Sequence, residues 1–484
     1  MHHWQKHRMQ KRKLAHSALI YMALGFLPLG SSLLLTPVYT QYLNPDEYGI
    51  IALSSILQTY LSLIVCFSLD AAFSRFYFNH YQDEKRTHAL LSTVLITITG
   101  ITLAVGLILM LLGNPLLELI FQESRFTFTS LGWQVLITSG LGMCYTVISL
   151  YYRDSENLKM FSILAVVYFI LMTGCTFYGV VIAEGGAAGS ISGKMTGTII
   201  TLIIFFIVVF SKTGIHFQRS DAVTMLKFSF PLFIYGMMAA AFDTMDRFFI
   251  SRYFDLGVLG QYNFAFVIAS VIGIVLASYQ AAVNPPIYKM MLDKDNNHSI
   301  PLNIIMNRLI WTSLLFASLC ITLSYYVIKY FINIQYHASL QFIPILALSF
   351  IPRAYYMAWS YPLFTENKAV VLPWINGISI VAGILSNFLL IQSIGLLAIP
   401  ISVVIIKLTQ ALCAYFAINK LKIYNAEVYQ FKTTNIVVIL FTTSVWIVSR
   451  YWAGNSSNNF INFVPLIIVL IPFLSTHWSY IKNK

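Results

Sequence analysis

The chain has 484 residues, 58% of them hydrophobic and 10% charged, a formal net charge of +12 and a mean hydropathy of +0.74. That is more apolar surface than a water-soluble core can hide, so the solvent for most of the chain is lipid. Apolar stretches of roughly 20 residues recur from end to end, the length of a helix that crosses a ~30 Å hydrocarbon layer, and a barrel with its short alternating segments is excluded.

Taken in chain order, residues 1–16 (MHHWQKHRMQKRKLAH) are strongly basic. The apolar run 17–38 has no small-residue cleavage pattern; it reads as a retained first helix, with a cleaved signal peptide as the alternative. The hydropathy pattern gives about fourteen candidate spans. They cover 17–38, 48–70, 89–112, 129–152, 160–183, 188–211, 228–252, 261–285, 304–331, 339–363, 369–392, 395–419, 433–453 and 460–481. Asn44-Pro45-Asp46-Glu47 places a capping side chain, a proline and two acids ahead of the second span, which predicts a defined helix start there. The stretch 255–262 (DLGVLGQY) is a short glycine-punctuated connection into the eighth span.

An even number of spans puts both termini on one side, and the cations alternate accordingly. One set of loops carries Lys6, Arg8, Lys11, Arg12, Lys13, Arg75, Lys85, Arg86, Arg153, Lys159, Lys212, Arg219, Lys227, Lys289, Lys294, Lys368, Lys420, Lys422, Lys432, Lys482 and Lys484. The opposite loops offer Arg125 and a few cations at span ends. The first set is therefore expected in the cytoplasm, with both termini. The net positive charge follows membrane sidedness, and nucleic acid is not an expected partner. Cys66, Cys144, Cys175, Cys320 and Cys413 fall in apolar segments without CxxC spacing, which argues against a disulfide framework or a metal site. No cofactor is called for, and no phosphate-loop motif suggests direct ATP use.

A weak internal echo links Pro28 and the segment around Gly49 to Pro231 and the segment around Gly260. It is compatible with a duplicated half and equally with chance.

The segments TPVYTQYLNPDEYGIIAL, SLDAAFSRFYF and LKFSFPLFIYGMMAAAFDTMDRFFISRYFDLGVLGQYNFAF, followed by WINGISIVAGILSNFLLIQ and SIGLLAIPIS, resemble in order and spacing the polysaccharide flippases of the multidrug/oligosaccharidyl-lipid/polysaccharide exporter superfamily. The resemblance covers roughly the first 420 residues. It departs at GLLAIP, where the family tends to small residues. It implies an all-α integral membrane protein with two six-helix lobes around a central cavity, two further C-terminal helices and alternating access. The corresponding division is a basic N-terminus at 1–16, an N-lobe at 17–211, a linker at 212–227, a C-lobe at 228–419 and a C-terminal pair within 420–484.

A charge at bilayer depth costs at least ~2.5–3.5 kcal/mol, so each such residue marks the protein interior or a wet cavity. Asp243, Asp246 and Arg247 lie in the seventh span. Asp243 and Arg247 are one turn apart and can pair, either as a self-neutralising structural pair or as ion-coupling or gating carboxylates beside a phosphate-binding cation. Arg353 follows Pro352 in the tenth span and shares a helical face with Tyr356 and Ser360. That face offers a phosphate-competent guanidinium beside an aromatic for a sugar ring, or an interfacial set with a snorkelling arginine. Lys407 lies near the centre of the twelfth span and Lys194 in the outer third of the sixth. Arg308 reads as an anchor, and Asp70 with Arg75 as a structural pair.

Cations exceed acids at depth, so a cavity lined by Lys194, Arg247, Arg353 and Lys407 favours an anion. The expected function is a flippase that moves undecaprenyl-pyrophosphate-linked oligosaccharide repeat units from the cytoplasmic to the outer leaflet of the bacterial inner membrane for O-antigen, capsule or exopolysaccharide assembly. Membrane lipids, a polysaccharide polymerase and other assembly proteins are the expected partners. A lipid II flippase and a multidrug or ion antiporter of the same superfamily are the alternatives. A membrane polysaccharide polymerase is disfavoured, because no long external loop or paired catalytic residues are present.

Overall fold

The computed structural model describes residues 24, 27–292, 299–366, 368, 370–421, 432–453 and 463–472. The basic segment 1–16 and Lys294, Lys422, Lys482 and Lys484 lie outside them. The helices are α1 (Leu27–Tyr42), α2 (Pro45–Cys66), α3 (Leu69–His80), α4 (Glu84–Phe121), α5 (Trp133–Asp154), α6 (Leu158–Phe177), α7 (Gly186–Thr213) and α8 (Arg219–Tyr253). They continue as α9 (Leu256–Leu292), α10 (Ser299–Phe331), α11 (Ile343–Leu348), α12 (Phe350–Thr365), α13 (Val371–Ile394), α14 (Ala398–Lys420) and α15 (Lys432–Ala453), with a last helical stretch at 464–472. Among the described residues there is no strand. Nine helices among them are long and apolar enough to cross a membrane, or ten if the bent pair Ile334–Gln341 and Ile343–Phe364 is one span.

The protein is thus an all-helical, multi-pass membrane protein. The run Val371–Lys420 passes that test as one helix, yet α13 and α14 fold back on each other. Gly395, at φ +59°, makes the reversal; this left-handed conformation suits a residue without Cβ. The eleventh and twelfth expected spans are therefore separate passes.

The chain forms two compact units, Met1–Ala240 and Ala241–Lys484. In the first unit, the expected start of the second span takes the form of a reciprocal cap. Asn44 Oδ1 accepts from the Glu47 N–H at 2.9 Å, and Glu47 Oε2 accepts from the Asn44 N–H at 3.1 Å. Asn44→Ala is expected to cost ~1 kcal/mol while Asn44→Asp, which keeps the acceptor, stays near wild type. Thermal unfolding in detergent reads the difference.

On the same end of the unit, Arg125 bridges Asp46 at 3.1 Å and Glu123 at 3.0 Å. Partial burial would raise the Glu123 carboxyl, but the hydrogen bonds and charge of Arg125 outweigh it and hold it below the usual carboxylate range.

The second span does not run straight to its end. Phe67 and Ser68 both adopt left-handed backbone (φ 52° and 56°) and divide α2 from α3. The expected Asp70–Arg75 pair does not form: Arg75 stacks over the Phe228 ring at 4.4 Å, and Asp70 Oδ1 faces Cys66 Sγ at 3.5 Å.

The division between units falls inside α8, later than the 212–227 linker that sequence suggests. The linker is fastened to α4: Arg86 pairs with Asp221 at 3.0 Å and also donates to Gln218, while the backbone N–H groups of His216 and Gln218 donate to Ser92 and Thr93. The first half of α8 then packs on the α2–α3 break, with Phe67 stacked on Phe233 at 4.5 Å and Ser229 Oγ donating to the Ser68 carbonyl at 3.0 Å.

Candidate functional site

The second half of α8 carries three charges in five residues. One turn of helix brings Asp243 and Arg247 to one face, but the carboxylate that pairs with Arg247 is Asp246. Arg247 Nε lies 3.4 Å from Asp246 Oδ1, and its Nη2 takes the backbone carbonyl of Asp243 instead of the carboxylate. This corrects the expected Asp243–Arg247 pair. The reason lies on α9: Tyr262, fully buried, donates its hydroxyl to Asp246 Oδ2 at 2.7 Å, and Phe266 presents its ring 4.1 Å beneath the Arg247 guanidinium. Both charged groups are thereby compensated in a buried position. Asp243, by contrast, is exposed, and among the described residues no hydrogen bond or ion pair engages its carboxylate.

Lys407 on α14 is 6% exposed. Its ammonium donates to Ser349 Oγ at 3.1 Å and sits 4.3 Å over the Phe350 ring. It lies within electrostatic reach of Arg353, Asp243, Asp246 and Arg247, so five of the seven residues singled out from sequence gather in one charge cluster of the second unit.

Arg353, on α12, is half-buried, and no acid or hydrogen-bond acceptor holds its guanidinium among the described residues. Three cations face two acids in this cluster, and the Asp246–Arg247 pair uses one of each. The surplus positive charge rests on Lys407 and Arg353, with Asp243 the only acid of the group left unpaired.

Tyr356 stands beside Arg353 but packs with Trp359, Val371, Cys413 and Ala417 against the core of Leu363, Leu372, Ile375, Ala414 and Ile418. Ser360, expected on the same polar face, is buried with its hydroxyl turned back to the Met357 carbonyl at 2.9 Å. Of the face read from the helical projection, Arg353 and Tyr356 are half-buried and Ser360 is buried.

Lys194 belongs to the first unit. Thr196, Ile200, Ile203 and Ile207 form the exposed stripe of α7, while Ser190, Thr198 and Thr201 on the other side are fully buried. At 3.6 residues per turn Lys194 falls in the middle of that protein-facing side, half-buried and without a counter-charge among the described residues. Its neighbours one turn away are tied to other helices: Ser190 to Tyr39 at 2.8 Å, and Thr198 to Tyr168, which stacks on Tyr145 at 3.9 Å.

Sequence reasoning did not single out Tyr262, Phe266, Ser349 or Phe350, nor the buried Asn376–Gln410 hydrogen bond between α13 and α14 at 2.8 Å. Only Tyr262 carried a signal, as the last residue of the glycine-punctuated connection. Among the described residues, no group of three or more His, Cys, Asp or Glu side chains could hold a metal ion.

Comparisons with known proteins follow the fold. The sequence matches the family described as polysaccharide biosynthesis protein over residues 14–291. No curated protein matches the chain. Among solved structures, the lipid II flippase MurJ in an inward closed conformation superposes with a TM-score of 0.67 at 14% identity, covering 96% of this chain and 99% of that one. An inward-facing multidrug resistance MATE family transporter of the MOP superfamily gives 0.58 at 11% identity, over 86% and 99% of the two chains. A MATE protein in complex with MaD3S gives 0.51 at 13% identity, over 84% and 94%. At such identities the shared property is the fold.

Proposed function

Because the chain belongs to the polysaccharide biosynthesis protein family, we propose that it is a flippase for polyprenyl-pyrophosphate-linked oligosaccharides, a transporter and not an enzyme. It moves repeat units from the cytoplasmic to the outer leaflet of the inner membrane by alternating access, with both termini in the cytoplasm and a cationic substrate path. Arg353, Lys407, Arg247, Lys194 and Tyr356 are the substrate-binding set, and Asp243 and Asp246 the ion-coupling or gating acids. Asp243 is the better placed of the two acids, since its carboxylate is open while that of Asp246 is engaged by Tyr262 and Arg247.

The observation that carries this reading is the uncompensated positive charge at bilayer depth. Arg353 and Lys194 reach partly accessible positions without an acid or acceptor among the described residues, a costly arrangement that an anionic ligand relieves. A pyrophosphate supplies two such charges, and Tyr356 is the aromatic proposed for a sugar ring. A cavity for cationic drugs would carry the opposite surplus.

Deletion in the native host is expected to accumulate undecaprenyl-linked repeat units on the cytoplasmic side, with surface glycan lost. Unaltered surface glycan overturns the proposal, and arrested peptidoglycan synthesis instead identifies a lipid II flippase. The drive is open to a second measurement. Moving two negative charges outward across ~100 mV releases roughly 4–5 kcal/mol, so collapsing the potential with an ionophore in vesicles is expected to slow flipping. An unchanged rate removes the potential as the energy source.

A further inference from the structure

The tenth span is the one apolar pass among the described residues that is a bent pair of helices. Its 3-10 segment Ile334–Gln341 meets the stretch Ile343–Phe364 at a bend of 44°, and within that stretch α11 gives way to α12 at Ser349 after only six residues. Pro352 has no N–H to offer the Leu348 carbonyl one turn back, so the ladder is interrupted where α11 ends. Ser349 donates its hydroxyl to the Leu346 carbonyl at 2.7 Å, in the turn just before the interruption. Arg353 sits one turn beyond Ser349, on the same face, and its direction depends on how this joint is held.

Lys407 reaches the joint from α14. Its ammonium donates to the hydroxyl of Ser349, the residue at the joint, and covers the ring of Phe350, the first residue of α12. Ser349, Phe350 and Lys407 are all buried, at 1%, 4% and 6% exposure. An ammonium so enclosed has little access for a bulky headgroup, whereas the half-buried Arg353 does. Like charges also repel in a low-dielectric interior, so the buried ammonium favours those Arg353 rotamers that point away from it.

We infer that Lys407 is a positioning residue that pins the interrupted tenth span and thereby aims Arg353, the ligand proper. This rests on the reading of Arg353 as a phosphate ligand. It moves Lys407 from the set of groups that touch substrate to the group that sets the geometry of one that does.

Binding of undecaprenyl pyrophosphate to the full-length protein in nanodiscs, together with hydrogen–deuterium exchange of peptides covering 343–356, tests it. Arg353→Gln is expected to weaken binding ~10- to 100-fold, the range for a lost charge-assisted hydrogen bond, with exchange unchanged. Lys407→Gln is expected to raise exchange at the joint and to weaken binding less, and the double variant to bind no worse than Arg353→Gln alone, because the two act through one contact. Ser349→Ala, which removes the acceptor but buries no new group, is expected to reproduce the raised exchange and decides the matter should Lys407→Gln fail to fold. Losses that multiply in the double variant, or exchange that stays at the wild-type level in Lys407→Gln or Ser349→Ala, overturn the inference. A wild-type protein that does not bind undecaprenyl pyrophosphate sinks the proposed function instead, and the exchange data then judge the strut by themselves.

Discussion

Gly193→Leu is expected to abolish accumulation of folded protein. Glycines recur at 185, 189, 193 and 197, four residues apart and so on one face of α7. Along that face the backbones of α6 and α7 approach without intervening side chains. A Cβ at Gly193 would strike the Cys175 carbonyl oxygen and the Thr176 Cα, and one at Gly189 would strike the Gly179 carbonyl. At Gly197 the Leu171 oxygen and the Met172 Cα are each 2.6 Å from where a Cβ would stand. These obstacles are main chain, which cannot turn aside as a flexible side chain can. The cost of a leucine there exceeds the ~1–3 kcal/mol of ordinary overpacking, because the close approach is itself what holds two helices together in lipid. Gly174, on α6, has open space within 4 Å of where a Cβ would stand and is the control: Gly174→Ala is expected to be neutral or stabilising by up to ~1 kcal/mol. Fluorescence-detected size exclusion separates the cases. A sharp wild-type peak from Gly193→Leu would mean that α6 and α7 are not in backbone contact.

Much of this architecture was legible from sequence because its cause is local. A stretch of about 20 apolar residues must become a helix in lipid, whatever surrounds it, so the spans followed from composition alone. The Asn44 cap was legible for the same reason, since its partners lie three residues apart. The break at Phe67–Ser68 was not: two non-glycine residues in left-handed backbone leave no mark in a hydropathy profile, and the Phe67–Phe233 stack packed against the break comes from a helix far along the chain. The anchoring of the 212–227 segment was not legible either, because Arg86, Ser92 and Thr93 that fasten it lie more than a hundred residues away.

At the site, burial cost identified which charges matter but not how they pair. The one-turn rule places Asp243 and Arg247 on one face correctly and still assigns the wrong carboxylate, since Tyr262 and Phe266 on the next helix decide where the guanidinium lies. Tyr356 shows a related limit of one-dimensional reading: a helical projection gives direction, while the neighbours Val371 and Ala417 that partly cover its ring come from other helices.

The Asp246–Arg247–Tyr262 group supplies the second large effect. Asp246→Leu leaves Arg247, whose side chain is 11% exposed, without its anion and Tyr262 without its acceptor, at an expected cost of ~3–5 kcal/mol. An apolar replacement of the whole group removes the stranded partners along with the pair, so Asp246→Leu combined with Arg247→Met and Tyr262→Phe is expected to recover most of the loss. Thermal unfolding in detergent measures both. A single variant as stable as wild type, or a triple variant as unstable as the single, contradicts the pairing. The triple variant also asks what the pair is for. If Arg247 only neutralises Asp246, the recovered protein still binds undecaprenyl pyrophosphate through Arg353. If stability returns and binding does not, Arg247 contributes its charge to the ligand, and its ion pair with Asp246 must open during transport for it to do so.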